Sequence, residues 1–135
     1  PPRSATSCVP GNFQNGKNAM IIDFDALPEK VIPHFHDGEK EARARAFADG
    51  RNRIMLGRLV PGASIGRHVH ATNSEIVYIL SGTGTAWMDD GTEPLRPGVC
   101  HYCPKGHTHG MINDGSEDLV IFTVVPEHGS DADCP

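Results

Sequence analysis

The chain has no apolar run approaching the roughly 20 residues that a membrane-spanning helix needs, and no basic stretch followed by an apolar one at its start. Nor is there an excess of positive charge: 12 Lys and Arg face 17 Asp and Glu, a net charge of −5 with histidine neutral. A general attraction to nucleic acid or to an anionic membrane surface is therefore not expected. Cysteine is sparse and unevenly placed, at Cys8, Cys100, Cys103 and Cys134, unlike the framework of a small disulfide-stapled secreted domain. These absences lead to the expectation of a soluble, cytoplasmic protein.

What is present suits one folded unit. A length of 135 residues matches a single core, and 38% hydrophobic with 21% charged residues lies far from the composition of disorder. Fifteen Gly and eleven Pro make turns frequent and long helices unfavourable. Eight histidines are the unusual feature.

Residues 1–18 are rich in Pro, Ser, Asn and Gly without apolar periodicity and read as an N-terminal arm. Residues 19–128 read as a single β domain and 129–135 as a C-terminal tail. Within the domain, the short apolar run at 19–24 reads as a strand followed by a turn, because Pro28 and Pro33 break any regular element after it. Residues 39–48 carry helix-forming types, yet Arg43, Ala44, Arg45, Ala46 and Phe47 alternate with strand period and read as a strand. From Arg53 onward, short strands with turn punctuation follow: RIMLGRLV, EIVYIL, TAWM, VCHYC and LVIFTVV. That rhythm predicts an all-β barrel or sandwich. The turns at 81–84 and 89–91 are expected to join consecutive strands as hairpins.

His68 and His70 are two apart, so on a strand both imidazoles leave one face, and Glu75 follows across a polar tetrad that can turn the chain back. A further candidate, His109, lies on a different strand. The framing around these residues is specific. The first block runs Gly62, five residues, His68, one, His70, four, Glu75, six, Gly82; the second runs Gly98, five, Pro104, one, Gly106, two, His109, three, Asn113. At every position this resembles the two sequence motifs of the cupin superfamily, over residues 62–82 and 98–113.

The resemblance implies a double-stranded β-helix, or jelly roll, with one divalent transition metal in the barrel mouth. Its ligands would be the residues matching His68, His70, Glu75 and His109. Three imidazoles and a carboxylate suit Fe, Mn, Ni, Co, Cu or Zn. The resemblance also implies a homodimer. Gly62, Gly82, Gly98 and Gly106 would serve tight turns, and Asn113 would bond a turn or a ligand's neighbour.

His101, His107, Tyr102 and Tyr78 are the candidates for moving a proton at such a site. Cys100 and Cys103 have a zinc half-site's spacing but point apart on a straight strand, and read as packed thiols. His34 and His36 read as a surface loop, with a cover over the barrel mouth as the alternative. Trp87, Met111 and Phe122 read as core, with a place in the cavity as the alternative, and Arg53, Arg58 and Arg67 are the basic residues nearest the first motif. If Glu75 points inward, so do Val77 and Ile79, leaving Ile76, Tyr78 and Leu80 for burial against a second sheet or a dimer partner.

The expected function is that of a metal-dependent cupin enzyme acting on a small oxygen-rich or carboxylate-bearing molecule that chelates the ion. Dioxygenase chemistry ranks first, with lyase, decarboxylase or isomerase chemistry as alternatives. A non-catalytic module binding a metal or small molecule is the reading from another class.

Overall fold

The computed structural model describes residues 19–129. Among them are ten strands: β1 Lys30–Pro33, β2 Glu41–Ala48, β3 Asn52–Leu59, β4 Ser64–Val69, β5 Glu75–Ser81, β6 Gly84–Met88, β7 Gly91–Leu95, β8 Cys100–Cys103, β9 Thr108–Ile112 and β10 Leu119–Pro126. They form a six-stranded sheet in the order β1-β2-β3-β10-β5-β8 and a four-stranded sheet in the order β4-β9-β6-β7. After the β2–β3 hairpin the chain passes back and forth between the sheets, interrupted only by the β6–β7 hairpin. This is the winding of a double-stranded β-helix, and all pairings are antiparallel. The expected arm at 1–18 and most of the expected tail lie outside the described residues.

Strand period decides which side chains fill the space between the sheets. On β5, Val77 and Ile79 are wholly buried, while Ile76, Tyr78 and Leu80 are 38%, 42% and 46% exposed. The inward phase is as the sequence predicts; the outward residues, however, meet no second sheet. Leu59, Ile65, Val77, Ile79, Met111 and Leu119 belong to one core cluster joining both sheets. On β2 the alanines face in and the arginines out, so pairing with β3 overrides the helix propensity of this stretch.

Two local expectations are corrected. The apolar run at 19–24 forms no strand: only a 3-10 turn at Phe24–Ala26 follows, capped by the Asp23 carboxylate. This segment instead lies on the outer face of the six-stranded sheet. Phe24 meets Phe122 edge-on at 6.2 Å, and the carbonyls of Phe24 and Leu27 accept from the Arg45 guanidinium. The turn at 81–84 is not a hairpin, because β5 and β6 belong to different sheets. The turn at 89–91 does close one, with Met88 opposite Gly91.

Gly62, Gly82, Gly98 and Gly106 all have positive φ, between 83° and 93°. At Gly82 there is a second constraint, since a Cβ would lie 2.3 Å from the Asp118 carbonyl oxygen, whereas one on Gly98 would meet nothing within 4 Å. Asn113, fully buried, ties its turn together: its amide donates to the carbonyls of Leu59 and Glu117, and its oxygen accepts from the Gly115 amide. Gly98→Ala should therefore cost only the left-handed backbone, about 1–2 kcal/mol, and Gly82→Ala roughly twice that. Denaturant unfolding of the two variants checks the order.

Candidate metal centre

His68 and His109 are brought face to face by an irregularity. In the β4–β9 ladder Ile65 pairs with Met111 but His68 pairs with His109, so β4 carries one extra residue between these pairs. Without this bulge Arg67, not His68, would stand opposite His109. The bulge is packed from outside by the 34–38 loop, where a Cβ on Gly66 would lie 1.9 Å from the His36 carbonyl oxygen. His70 follows just past β4, held by backbone bonds with His107 and Gly106. Glu75 opens β5 in the other sheet, completing a cluster that no single strand contains.

One potential ligand atom from each of His68, His70, Glu75 and His109 lies within 4.8 Å of all the others, and the last three residues are buried. The outer nitrogens explain their orientation. His68 Nδ1–H donates to the Gly66 carbonyl at 2.7 Å, His70 Nδ1–H to Asn73 Oδ1, and His109 Nδ1–H to His101 Nε2 at 2.9 Å. With each Nδ1 engaged as a donor, each ring turns an Nε2 lone pair inward. His70 Nε2 lies 3.0 Å from His109 Nε2 and 3.1 Å from Glu75 Oε1, so acceptors converge on acceptors. A cation resolves that repulsion, and the donor set of three imidazoles and one carboxylate fits a divalent transition metal.

The electrostatics follow from the same contacts. Burial drives the Glu75 pKa up, but the rings of His109 and His70, protonated when no cation is bound, donate Nε2–H to the carboxylate, outweigh burial and hold the carboxyl well below its usual range. Burial lowers His68 to about 4, while the Glu75 hydrogen bond raises His70. Cys103, opposite Glu75 on β8, is pushed up to about 11 by burial and so remains a thiol. Cys100, on the opposite face, is exposed.

Of the proton carriers proposed from sequence, none faces the mouth. Tyr78 and Tyr102 stand on the outer face of the six-stranded sheet, opposite in phase to Glu75 and Val77. His107 lies in the turn before β9 and pairs with Asp89 at 2.6 Å near the surface. His101 is buried behind His109, stacked on its ring at 5.1 Å, with Nδ1–H directed to Glu93 at 3.3 Å. It therefore orients His109 and is not positioned to meet a substrate. Trp87, Met111 and Phe122 do not line the cavity, and Trp87 lies beneath the Arg67 guanidinium at 5.5 Å. Arg53 and Arg58 both line the cavity, and Arg58 is taken up by Glu29 and Asp118.

The reading of His34 and His36 as a plain surface loop holds for His34, which is exposed with its Nδ1 against the Gly38 carbonyl, and is corrected for His36. His36 lines the cavity and stacks on His68, centroids 3.7 Å apart and planes at 11°. It does so in a left-handed conformation shared by His34, Asp37 and Lys40, a concentration of strain that needs support from its surroundings. Sequence reasoning also missed Asn73 and Glu93, the outer partners of His70 and His101. Asn73, three residues after His70, was a readable signal; Glu93, on another strand, was not.

A two-sheet antiparallel barrel with a metal-capable cluster of three histidines and a glutamate between its sheets defines the class: a small double-stranded β-helix protein. More particularly, residues 55–125 match the cupin domain, and the chain belongs to that family. The oxalate-binding protein of Thermotoga maritima is 36% identical over 126 residues, covering 84% of this chain and 98% of that protein. Among solved structures, a predicted oxalate decarboxylase of Thermotoga maritima superposes with a TM-score of 0.75 at 24% identity, covering 80% of this chain and 99% of that one. The polyketide cyclase RemF of Streptomyces resistomycificus superposes with a TM-score of 0.67 at 21% identity, covering 81% and 80%. Both likenesses are ones of fold.

If His101 holds the His109 tautomer, His101→Ala should weaken Co(II) or Zn(II) affinity about 10- to 100-fold with the barrel still folded. His107→Ala should leave it unchanged. Metal titration with circular dichroism as the folding control distinguishes the two, and equal affinities would remove the relay from the site.

Proposed function

We propose that this chain carries a divalent transition metal on His68, His70, Glu75 and His109, and uses it to hold a small chelating carboxylate, oxalate or a close analogue. The observation that carries the reading is the convergence of three Nε2 lone pairs and a carboxylate at the wall of an open cavity that also contains Arg53. Arg53 pairs across β3 and β10 with Val125, and Val125 lies one residue past the Val124–Ile76 pair, next to Glu75. The backbones of Arg53 and Glu75 are thus about two strand spacings, roughly 10 Å, apart in one row of the sheet. No carboxylate among the described residues pairs with Arg53, which leaves its fork free for an anion. Held by His68, His70, Glu75 and His109, a divalent metal would supply Lewis acidity toward carboxylate oxygens. The chain's own residues would orient the ligand, with Arg53 drawing one carboxylate toward the mouth and His68, His70, Glu75 and His109 holding the cation that would take the other end. The name of the Thermotoga maritima relative supports oxalate as the first ligand to test.

A second reading, a binding module without turnover, is favoured by the placement of Tyr78, Tyr102, His101 and His107 away from the mouth. On the enzymatic reading, His36 is the lining imidazole outside the cluster and so the candidate proton carrier. Metal-loaded protein mixed with oxalate separates the two: formate, carbon dioxide or dioxygen uptake marks an enzyme, and stoichiometric binding without product marks a module. On either reading, Arg53→Ala should weaken oxalate binding about tenfold with metal content unchanged, as measured by calorimetry and elemental analysis. Unaltered affinity would remove Arg53 from the site.

The outer apolar residues support a homodimer. Ile76, Tyr78, Leu80 and Tyr102 form an exposed apolar face at the β8 edge of the larger sheet, and a second copy of the chain is the proposed cover. Tyr102→Glu should then shift the mass in light scattering from dimer to monomer; a monomeric wild type would refute the cover.

A further inference from the structure

The cavity is larger than a two-carbon dianion requires. Its volume is about 540 Å³, within the range of roughly 300–1,000 Å³ found for sites that enclose sizeable small molecules. Away from the cluster, its wall is formed by Ala42, Ala44 and Ala46 on β2, Met55 on β3, and Ile121 and Val125 on β10. The space has a sequence cause. β2 alternates alanine with larger residues and turns the alanines inward, and Ala44 pairs with Gly57, which has no side chain to offer. Protein interiors are ordinarily filled to crystal-like density, so a run of small residues along one wall leaves room for something else.

A second, independent feature lies in the same wall. Thr123 is 3% exposed and its hydroxyl oxygen has no hydrogen-bond partner, whereas buried hydroxyls are ordinarily satisfied. It sits in the inward phase of β10, between Met55 on β3 and Val77 on β5, and lines the cavity. In an otherwise apolar strand, LVIFTVV, it is the one polar residue.

From these features we infer that the cavity accepts a chelating carboxylate with an apolar body, namely a 2-oxo or 2-hydroxy carboxylic acid bearing a short aliphatic chain. The inference rests on the carboxylate reading above and extends it. The chelating end faces the cluster and Arg53, the chain lies over the alanine wall, and the Thr123 hydroxyl donates to a ligand oxygen. Oxalate satisfies the polar elements but has no chain to cover the alanine wall.

The test is calorimetry on the full chain loaded with Mn(II), titrated with oxalate, pyruvate, 2-oxobutanoate and 2-oxohexanoate. Affinity should rise about fourfold per added methylene from pyruvate to 2-oxohexanoate, as burial of each group predicts. Ala44→Leu, which fills the wall, should collapse the preference for 2-oxohexanoate over pyruvate. Ala46→Leu, nearer the opening, should do the same and serves if the first variant does not fold. Thr123→Val should weaken 2-oxohexanoate binding about fivefold. An affinity independent of chain length, or a preference that survives both leucine variants, overturns the inference while oxalate binding keeps the carboxylate reading intact. Failure of the metal-loaded chain to bind oxalate or any of the 2-oxo acids defeats both.

Discussion

The site depends on one extra residue in β4. Because the β4–β9 ladder slips between Ile65 and His68, a histidine and not an arginine stands opposite His109. A regular strand would place the Arg67 cation against the cluster, where it would oppose a metal ion. The slip is stabilised by close backbone packing: neither Gly66 nor Gly110 has room for a Cβ, and the 34–38 loop is pressed against the first of them. The same packing carries His36 onto the face of His68. Bulge, loop and cluster are therefore one structural unit.

Around that unit, hydrogen bonding does what sequence spacing cannot. Each histidine of the cluster commits Nδ1 to a different kind of acceptor: a carbonyl two residues back, an amide side chain in the following turn, and another imidazole from β8. The consequence is three rings with a common tautomer and a common direction. Glu75 stays ionised against strong burial because His70 and His109, when protonated, donate to it from Nε2. The result is a compact donor set suited to a cation, at the wall of the cavity that Arg53 also lines, the arrangement on which the carboxylate reading rests.

Legibility varied with the range of the interactions. Period-two alternation was enough to orient β5, to separate Cys100 from Cys103, and to make β2 a strand despite its helix-forming composition. Turn chemistry identified the 89–91 hairpin, since Asp-Gly pairs favour such turns locally. It failed at 81–84, where the question is which sheet receives the next strand. It failed again at 19–24, where apolar residues lie across an outer face instead of joining a ladder. Proximity in the chain points to the proton-carrier candidates but does not indicate that His101 is sealed behind a neighbouring ring or that Tyr78 and Tyr102 face outward.

By itself, the sequence determined the all-β class, the inward phase of its strands and, through the spacing of two motifs, the resemblance to cupins. These are properties of short segments, governed by side-chain period, turn geometry and residue type. Only the tertiary structure decided that His68 replaces Arg67 beside His109, that His36 lines the cavity against His68, that Arg58 is taken up by Glu29 and Asp118 while Arg53 lines the cavity without a carboxylate partner among the described residues, and that Thr123 is orphaned in an alanine-walled cavity. The physical reason is that each depends on the register between strands far apart in the chain, and a shift of one residue reverses which side chain faces in.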